Sequence, residues 1–532
     1  MDGVISRSTV KTIVGALIVV ALVGPLPVCA QGDKDQSIQL LLQKPLEFDQ
    51  PADRCEVEIC RSLIALLDKA RESIDFAIYG ARNQSTVLEA ISRAKERGIR
   101  VRGYVDRDAE GHNYYSSTNE WVQRIGNIRD DQNRESTCSR YFGKIDVKCP
   151  RPPGFKGPLQ CSAFEVGDQL LLARHASREA ITPNQIMHNK FFVVDGEWVW
   201  TGSANISDSG TGGYNANAVL LIRSKEMAGT YTREFEQLWD RTPQTCEKRS
   251  DGIEEFRIGT ADITTWFSPQ DKTTRYGVSG LIARAKDRIN VAVFFLTSKH
   301  LTADLIAAHR RGVQVRVIID ATAAKNGYTK HELLREIGIP VKIENWGSKM
   351  HMKSASIDGQ FLVTGSMNWT SAGEWANDEN TLLIRSSRLT TQFDHYYDEI
   401  WNSIPNRWAE PGRRPDPESL VSGTSCFDEV DNDFDDQADE ADPSCSNDPP
   451  PLPELPPHEF VSADQRSSVK KEGYRFVPLT KCDPSYPDWF VCLPASPWVR
   501  CQDIPYRRFR VLPPDPQSKD GNNNGLGCER RP

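Results

Sequence analysis

The sequence predicts a mixed α/β fold with two similar halves, each a mixed sheet flanked by helices, followed by a small disulfide-rich C-terminal module. Three observations lead to this prediction. One set of polar residues occurs twice, 163 residues apart; helix-then-strand patterns recur in the same order before each copy; and six of the 13 cysteines lie after residue 420. With 532 residues, the chain has room for two or more domains with a large core.

Residues 1–30 predict a secretory signal peptide. Arg7 and Lys11 precede an apolar run at 13–23, and Ala30 ends a small-residue cleavage site. An uncleaved anchor helix is the alternative, which the short run and its following prolines disfavour. Without Cys29, 12 cysteines remain, an even number suited to an oxidising compartment, so we expect a secreted or periplasmic protein with disulfides.

The first half is predicted to span residues 31–245. Residues 63–79 and then 87–106 each read as a helix followed by a buried strand, with Gly98 ending the second helix. An aromatic helix at 235–239 closes the half. An insertion at about 109–180, which contains three cysteines, is predicted to be a stapled loop, either a surface excursion or a wall over a cleft.

The second half, residues 246–410, repeats this order with fewer residues. Its helix and strand pairs lie at 281–294 and 301–320, Gly312 is the helix stop, and an aromatic helix at 396–401 closes it. Alternation of helix and strand in both halves is the basis for the predicted α/β architecture.

The duplicated set consists of a His, a Lys, an Asp, a Ser and an Asn. In both copies the Lys follows the His by two positions, the Asp by seven, the Ser by fifteen and the Asn by seventeen. The first copy is His188, Lys190, Asp195, Ser203 and Asn205, and the second is His351, Lys353, Asp358, Ser366 and Asn368. Either His-x-Lys alone would indicate an exposed polar strand, but the agreement of four spacings indicates one shared site.

The residue types suit phosphoryl chemistry. Alternation along a strand would put His and Lys on one face, where an imidazole and a cation can meet one phosphoryl group. Ser and Asn supply further donors to its oxygens. Two histidines can divide the work of nucleophile and general acid. Asp195 and Asp358 differ, because each precedes a Gly between two apolar runs, which predicts a hairpin turn and a scaffold role.

The paired motif resembles the phospholipase D superfamily, over most of residues 40–405. The resemblance implies a phosphohistidine intermediate, no catalytic metal, and two halves that meet about a pseudo-twofold axis with both motifs in one cleft. It implies that His188 attacks phosphorus, and that His351 protonates the leaving group and then activates water. It also implies that the phosphoryl oxygens are held by Lys190, Lys353, Asn205 and Asn368, with help from Ser203 and Ser366.

Glu379 matches the carboxylate that orients an imidazole in that superfamily. At the corresponding place the first half offers only Asn215 and Asn217. We expect this asymmetry to raise the basicity of His351 relative to His188, which leaves the reverse assignment of the two roles open.

Residues 411–463 predict an acidic, Pro-rich linker with a possible calcium loop at 426–445. The alternating carboxylates Asp431, Asp433, Asp435 and Asp439 lie between two cysteines, although a solvated acidic linker is the alternative. Residues 464–532 resemble the Excalibur module, an extracellular calcium-binding region, with Asp520, Asn522 and Asn524 as ligand candidates. Because calcium is assigned to this tail alone, a chain ending near Arg414 is expected to remain active.

The distribution of charge along the chain indicates which class of substrate is favoured. Residues 31–415 hold 51 basic and 50 acidic residues, so the net charge of −8 arises in the tail. A nearly neutral catalytic region disfavours a long polyanion-binding footprint. We therefore predict a monomeric phosphodiesterase that acts on phospholipid head groups at a membrane surface. A metal-independent endonuclease, with nucleic acid as substrate, is the alternative, and a non-catalytic binding protein is disfavoured because the duplicated set is intact.

Overall fold

The computed structural model describes residues 37–108, 110–131, 159–166, 169–176, 185–241, 248–446, 459–461, 475–476 and 478–529. The predicted signal peptide, Cys138 and Cys149 lie outside these ranges. Within them, no helix has the length and apolar character needed to cross a membrane.

The described strands run along the chain as β1 (Ile38–Gln43), β2 (Ser73–Ile78), β3 (Ala81–Arg82), β4 (Arg100–Val105), β5 (Ile128–Asp130), β6 (Leu159–Val166), β7 (Gln169–Ala176), β8 (Lys190–Val194), β9 (Trp198–Gly202), β10 (Ile206–Ser207), β11 (Asn217–Arg223), β12 (Glu255–Ile258), β13 (Ala261–Ser268), β14 (Arg288–Val293), β15 (Gln314–Ile319), β16 (Val341–Ile343), β17 (Lys353–Ile357), β18 (Phe361–Gly365), β19 (Glu379–Arg385), β20 (Glu459–Val461), β21 (Arg475–Phe476), β22 (Phe509–Arg510) and β23 (Leu526–Gly527). The α-helices are α1 (Glu58–Lys69), α2 (Ser85–Glu96), α3 (Thr118–Ile125), α4 (Lys225–Trp239), α5 (Ser279–Arg284), α6 (Lys299–Arg310), α7 (Ala321–Ala324), α8 (His331–Ile337), α9 (Ser371–Trp375) and α10 (Ser387–Ser403). A π-helical turn at Thr273–Val278 leads into α5.

Two large sheets carry the fold, which confirms the prediction of a mixed α/β protein. In the described residues, the first sheet has the order β1-β11-β9-β8-β2-β4-β5, and the second has the order β12-β13-β19-β18-β17-β14-β15-β16. In each sheet three strands are parallel, β2-β4-β5 and β14-β15-β16, and the others pair antiparallel. The strand that follows each motif histidine, β8 or β17, lies near the centre of its sheet.

The helix stops are glycines in the left-handed region, as the sequence predicts. Gly98 follows α2 with a φ of +83°, and Gly312 follows α6 with a φ of +92°. A side chain at such φ values is strained, so glycine ends each helix and turns the chain into the next parallel strand.

The two halves share one hydrophobic core between their sheets. Tyr231 and Phe235 of α4 and Phe393 of α10 belong to a single buried cluster that includes residues of both sheets, among them Phe191 and Leu382. The aromatic helices predicted to close each half therefore join the halves, and this shared burial holds the two motifs in a fixed relation.

The insertion and the C-terminal module both pack on the second half. The β6-β7 hairpin of the insertion contributes Phe164 and Leu171 to the core of that half, and the module contributes Tyr486 and Tyr506 to the same core. β20 and β21 extend the hairpin to a four-stranded sheet. The described disulfides are Cys55–Cys60, Cys426–Cys445, Cys482–Cys492 and Cys501–Cys528.

Candidate active site

Each motif begins at the edge of a β-hairpin. β8 and β17 start at Lys190 and Lys353, so each histidine lies just before its strand rather than within it. The turns contain Asp195 and Asp358 at φ values of +55° and +53°, a conformation that Asp tolerates better than most residues.

The two turn carboxylates tie each hairpin to the neighbouring strand. Asp195 accepts backbone N–H groups from residues 71–73 at 2.8–3.1 Å, and Asp358 accepts those of residues 286–288 at 2.9–3.0 Å. Both lie at the end of the hairpin remote from the histidines, so the structure gives them a scaffold position.

Residues of both halves line a cavity of about 410 Å³. His188, Asn205, His351 and Asn368, four of the residues singled out in the sequence, face it. Backbone hydrogen bonds between the halves hold each motif beside the cavity. His188 N donates to Asp378 O at 2.9 Å, and His351 N donates to Ala216 O at 3.0 Å. Each half therefore positions the histidine of the other.

His188 is held by a carboxylate. Its Nδ1 lies 2.8 Å from Oε1 and 2.9 Å from Oε2 of Glu379, which is fully buried at the start of β19. With Nδ1 engaged, Nε2 is the ring nitrogen left for substrate. A carboxylate behind the ring favours positive charge on it, as a histidine that becomes a phosphohistidine requires.

His351 is held by neutral acceptors instead. Its Nδ1 donates to Ser203 O at 3.0 Å and lies 3.2 Å from Asn217 Oδ1. Asn217 begins β11 as Glu379 begins β19, so the two residues occupy equivalent positions in their sheets.

The expectation that Glu379 raises the basicity of His351 is therefore wrong. Glu379 contacts His188, which is 191 residues away and belongs to the other half. Because the halves exchange their orienting residues, the carboxylate raises the basicity of His188 relative to His351, which is the reverse of the sequence-based prediction.

The motif serines lie behind these orienting residues. Ser203 Oγ donates to Asn217 Oδ1 at 2.9 Å, and Ser366 Oγ donates to Glu379 Oε2 at 2.7 Å. Each hydroxyl also accepts a backbone N–H of β11 or β19, and both serines are fully buried. Since their hydroxyl protons are committed there, the serines fix Asn217 and Glu379 instead of meeting a phosphate, contrary to the sequence-based expectation.

The motif lysines lie beneath the histidines. Lys190 Nζ donates to His188 O at 2.8 Å, and Lys353 Nζ donates to His351 O at 2.6 Å. Both are about 1% exposed. Burial lowers the pKa of Lys190 to about 7, opposed by Glu379 and Asp106, and lowers the pKa of Lys353 well below its usual value.

Burial and the two lysines act together on the histidines. They lower the pKa of His188 and of His351 well below 6.5, while burial raises the pKa of Glu379 to about 8 against the pull of Lys190. A bound phosphate anion would raise the pKa of both histidines again, because it compensates the lysine charges. The site is thus arranged to favour an anion.

Asn205 and Asn368 face the cavity with unsatisfied amide oxygens. Asn205 Nδ2 donates to Tyr115 Oη at 2.8 Å, and neither Asn205 Oδ1 nor Asn368 Oδ1 has a partner among the described residues. A phosphoryl oxygen is an acceptor, so each asparagine would contact it through its Nδ2 group and not through the unpartnered oxygen.

Sequence reasoning missed several residues of the cavity wall. They are mainly aromatic, with two cations: Tyr79, Tyr115, Phe294, Phe295, Tyr214, Arg82 and Lys349. Tyr79 and Phe294 pack against the rings of His188 and His351 at centroid distances of 5.4 and 5.3 Å. The sequence contains a signal for these two residues, since Tyr79 directly follows the buried strand β2 and Phe294 directly follows the buried strand β14.

The acidic segment lies against this cavity. Val430, Asn432 and Phe434 form part of its wall, so residues 426–445 are not a free linker. Glu418, Asp431 and Asp433 present ligand atoms within 4.8 Å of one another, as do Asp433, Asp435 and Asp442. Asp439 instead accepts the backbone N–H groups of residues 428 and 429.

In the C-terminal module the predicted ligand residues form a turn. Asp520 accepts the N–H groups of Asn524 and Gly525 at 3.1 and 2.6 Å. Asn522 and Asn524 both donate to Glu529 Oε2, at 2.9 and 3.0 Å. Calcium binding at this turn stays a prediction.

Comparison with known proteins identifies the family of the chain. The family model described as "Cardiolipin synthase, PLD-like domain" matches residues 63–239 and 278–401, more than half of the chain and both motifs. The chain therefore belongs to this phospholipase D-like family.

Named relatives share segments of the chain. A mitochondrial cardiolipin hydrolase of Chlamydomonas reinhardtii is 31% identical over 121 residues, 23% of this chain and 54% of that protein. A phospholipase D of Rickettsia bellii is 28% identical over 137 residues, 26% of this chain and 68% of that protein. The chain spans about half the length of the cardiolipin hydrolases it matches.

Among solved structures, the phosphatidylserine synthase of Haemophilus influenzae matches 71% of this chain and 90% of its own, with a TM-score of 0.49 and 13% identity. The phospholipase D family member Nuc of Salmonella typhimurium matches 27% of this chain and 97% of its own, with a TM-score of 0.24 and 27% identity.

Proposed function

We propose that this protein hydrolyses phosphodiesters through a phosphohistidine on His188. The observation that carries the proposal is the unequal support of two histidines in one cavity, where His188 has a carboxylate at Nδ1 and His351 has a carbonyl and an amide. Glu379 stabilises the positive charge that His188 acquires when Nε2 bonds to phosphorus.

His351 serves as the general acid in the first step and as the general base in the second. It gives a proton from Nε2 to the leaving alkoxide, and then takes one from the water that attacks the phosphohistidine. The cation pair Lys190 and Lys353, with Asn205 and Asn368, compensates the charge on the phosphoryl oxygens. These side chains account for the chemistry without a metal ion.

The substrate that the cavity fits best is a phospholipid head group. Aromatic rings cover much of its wall, and Tyr114 and Phe434 stand at its rim with 61% and 55% of their surface exposed. Apolar rings at a rim favour contact with acyl chains or a membrane surface. The cardiolipin hydrolase and phospholipase D relatives act, by their names, on such lipids.

An endonuclease is the second candidate. Arg82 and Lys349 line the cavity and could hold neighbouring phosphates of a single strand, with the aromatic rings stacking on bases. The nearly neutral catalytic region weakens this alternative.

Further parts of the proposal rest on sequence and on reciprocal contacts. We propose secretion or a periplasmic location from the signal-like residues 1–30, and action as a monomer. The exchanged backbone contacts of the two motifs support a pseudo-twofold relation between the halves. Calcium at Asp520 of the C-terminal module is proposed on the resemblance to the Excalibur module.

The test is hydrolysis by the purified protein of vesicles containing phosphatidylcholine or cardiolipin, with supercoiled plasmid in parallel, each with calcium and with chelator. We expect release of the lipid head group, and no release by His188→Asn. Cleavage of plasmid at a higher kcat/KM than lipid would favour the endonuclease, and an equal rate in His188→Asn would refute the proposed site.

A further inference from the structure

In the acidic segment, residues 426–445, successive side chains at 430–435 face two different environments beside the cavity. Val430, Asn432 and Phe434 line the cavity. Asp431, Asp433 and Asp435, which alternate with them along the chain, belong to the carboxylate groups described above. One face of the segment is therefore a wall of the site, and the other is a cluster of oxygen ligands.

The cluster is short of positive charge. Residues 416–446 contain eleven Asp and Glu side chains and no Lys or Arg. Two lysines from elements that pack against the segment lie nearby. Lys325 pairs with Asp433, and its Nζ lies 3.4 Å from Asp416. Lys349 Nζ donates to the carbonyl of Asn432 and to the hydroxyl of Thr322.

Two buried carboxylate oxygens in the cluster lack partners. The side chain of Asp433 is 3% exposed, and its Oδ1 has no hydrogen bond among the described residues. Asp442 is also 3% exposed, and its Oδ2 is equally without one. A buried carboxylate oxygen with no donor is costly, and a cation ligated by several carboxylates would satisfy both.

We propose that Asp433, Asp435 and Asp442, with Glu418 and Asp431 beside them, bind a calcium ion that holds the cavity wall in place. An irregular loop of carboxylates suits calcium, which accepts six to eight oxygen ligands in flexible geometry. The Cys426–Cys445 disulfide closes the loop around the site. The ion acts on substrate binding and not on the chemistry, because no ligand residue lines the cavity.

A few side-chain contacts connect the proposed ion site to the cavity. Phe434 contacts Tyr114 at a centroid distance of 6.4 Å, and Lys349 lies over the ring of Phe434. Lys349 precedes His351 by two residues, and its N–H donates to Asn215 at 2.9 Å. Loss of the ion would let the carboxylates repel one another and move Phe434 away from the rim.

The regulatory part of this inference rests on the proposed function, so the experiment separates binding from turnover. Calcium chloride is titrated calorimetrically into the full, chelator-treated protein, with magnesium chloride in parallel. Asp435→Asn and Asp442→Asn are compared with Asp436→Asn, an exposed carboxylate of the same loop outside both groups. We expect each test variant to bind calcium at least tenfold more weakly than the control variant.

Turnover is then measured on dihexanoyl phosphatidylcholine and on bis(p-nitrophenyl) phosphate. On chelation we expect KM for the lipid to rise at least fivefold, while kcat on the small diester stays within twofold. Hydrogen exchange of peptides spanning 112–116 and 430–436 should slow on calcium binding, including in His188→Asn.

The outcomes are distinct. Absence of calcium binding at 1 mM free ion, equal binding in test and control variants, or exchange that calcium does not change would overturn the site. Calcium binding with an unchanged KM would overturn its regulatory role. No hydrolysis under any condition would overturn the proposed function, while calorimetry and exchange would still decide the calcium site. Asp435 is exposed, so its variant keeps the test open if Asp442→Asn does not fold.

Discussion

His188 and His351 occupy equivalent positions in the two halves, yet different groups hold their Nδ1 atoms. Glu379 holds His188, whereas Asn217 and the carbonyl of Ser203 hold His351. The strands β11 and β19, the serines behind them and the lysines beneath are otherwise matched. The difference between Glu379 and Asn217 thus gives His188 a carboxylate that favours positive charge on its ring, and leaves His351 with neutral acceptors.

The largest loss of activity is expected when either histidine is replaced. We expect His188→Asn and His351→Asn each to reduce kcat by about 1000-fold or more, with the double variant little worse, because both serve one two-step cycle. The readout is steady-state hydrolysis of an alkyl and of a p-nitrophenyl diester.

The leaving group separates their roles. His351→Asn should lose less activity on the p-nitrophenyl diester, because that leaving group needs no proton, while His188→Asn should lose equally on both. If His188→Asn, and not His351→Asn, kept more activity on the p-nitrophenyl diester, the roles of the two histidines would be reversed. If both variants kept near-normal turnover, the site itself would be wrong.

The orienting residues sharpen the comparison. Glu379→Gln should reduce kcat about 100-fold, because His188 loses the charge that stabilises the phosphohistidine, whereas Asn217→Ala should cost about tenfold or less, since the Ser203 carbonyl still holds His351. Single-turnover kinetics with a phosphodiester would measure both. Equal losses would mean that the carboxylate gives no special role to His188.

The pH dependence tests the same asymmetry. Activity requires neutral His188, protonated His351 and charged Lys190, so kcat/KM should rise as pH increases through the lowered pKa of His188, and should fall as first His351 and then, above about 7, Lys190 lose their protons. The optimum then lies below pH 7. Glu379→Gln should move the acid limb to lower pH, because the imidazolium loses its carboxylate. A monotonic rise from about pH 5 to 9 would contradict this arrangement.

The smallest effects are expected where the halves are alike. Asp195→Asn and Asp358→Asn each remove one carboxylate oxygen from an equivalent set of backbone N–H groups, so each should lower the free energy of unfolding by about 1–2 kcal/mol. Urea unfolding measures this. The kcat of the folded fraction should not change, and a large difference between the two variants would show that the hairpins are not equivalent.

Local patterns in the sequence predicted the two α/β halves and most of the site. Helix and strand periodicity gave the elements around Gly98 and Gly312, and the repeated spacing identified His188 and His351 as parts of one site. Such signals lie within about twenty residues, where backbone geometry alone fixes which side chains share a face.

The tertiary structure decided which residue serves which histidine. Glu379 and His188 meet across the shared core of the halves, and a comparison of motifs within each half pairs Glu379 with His351 instead. It also decided that Phe434 and Asn432 line the cavity, and that Ser203 and Ser366 lie behind the site. These contacts join residues far apart in the chain, so they depend on how the sheets pack and not on any local pattern.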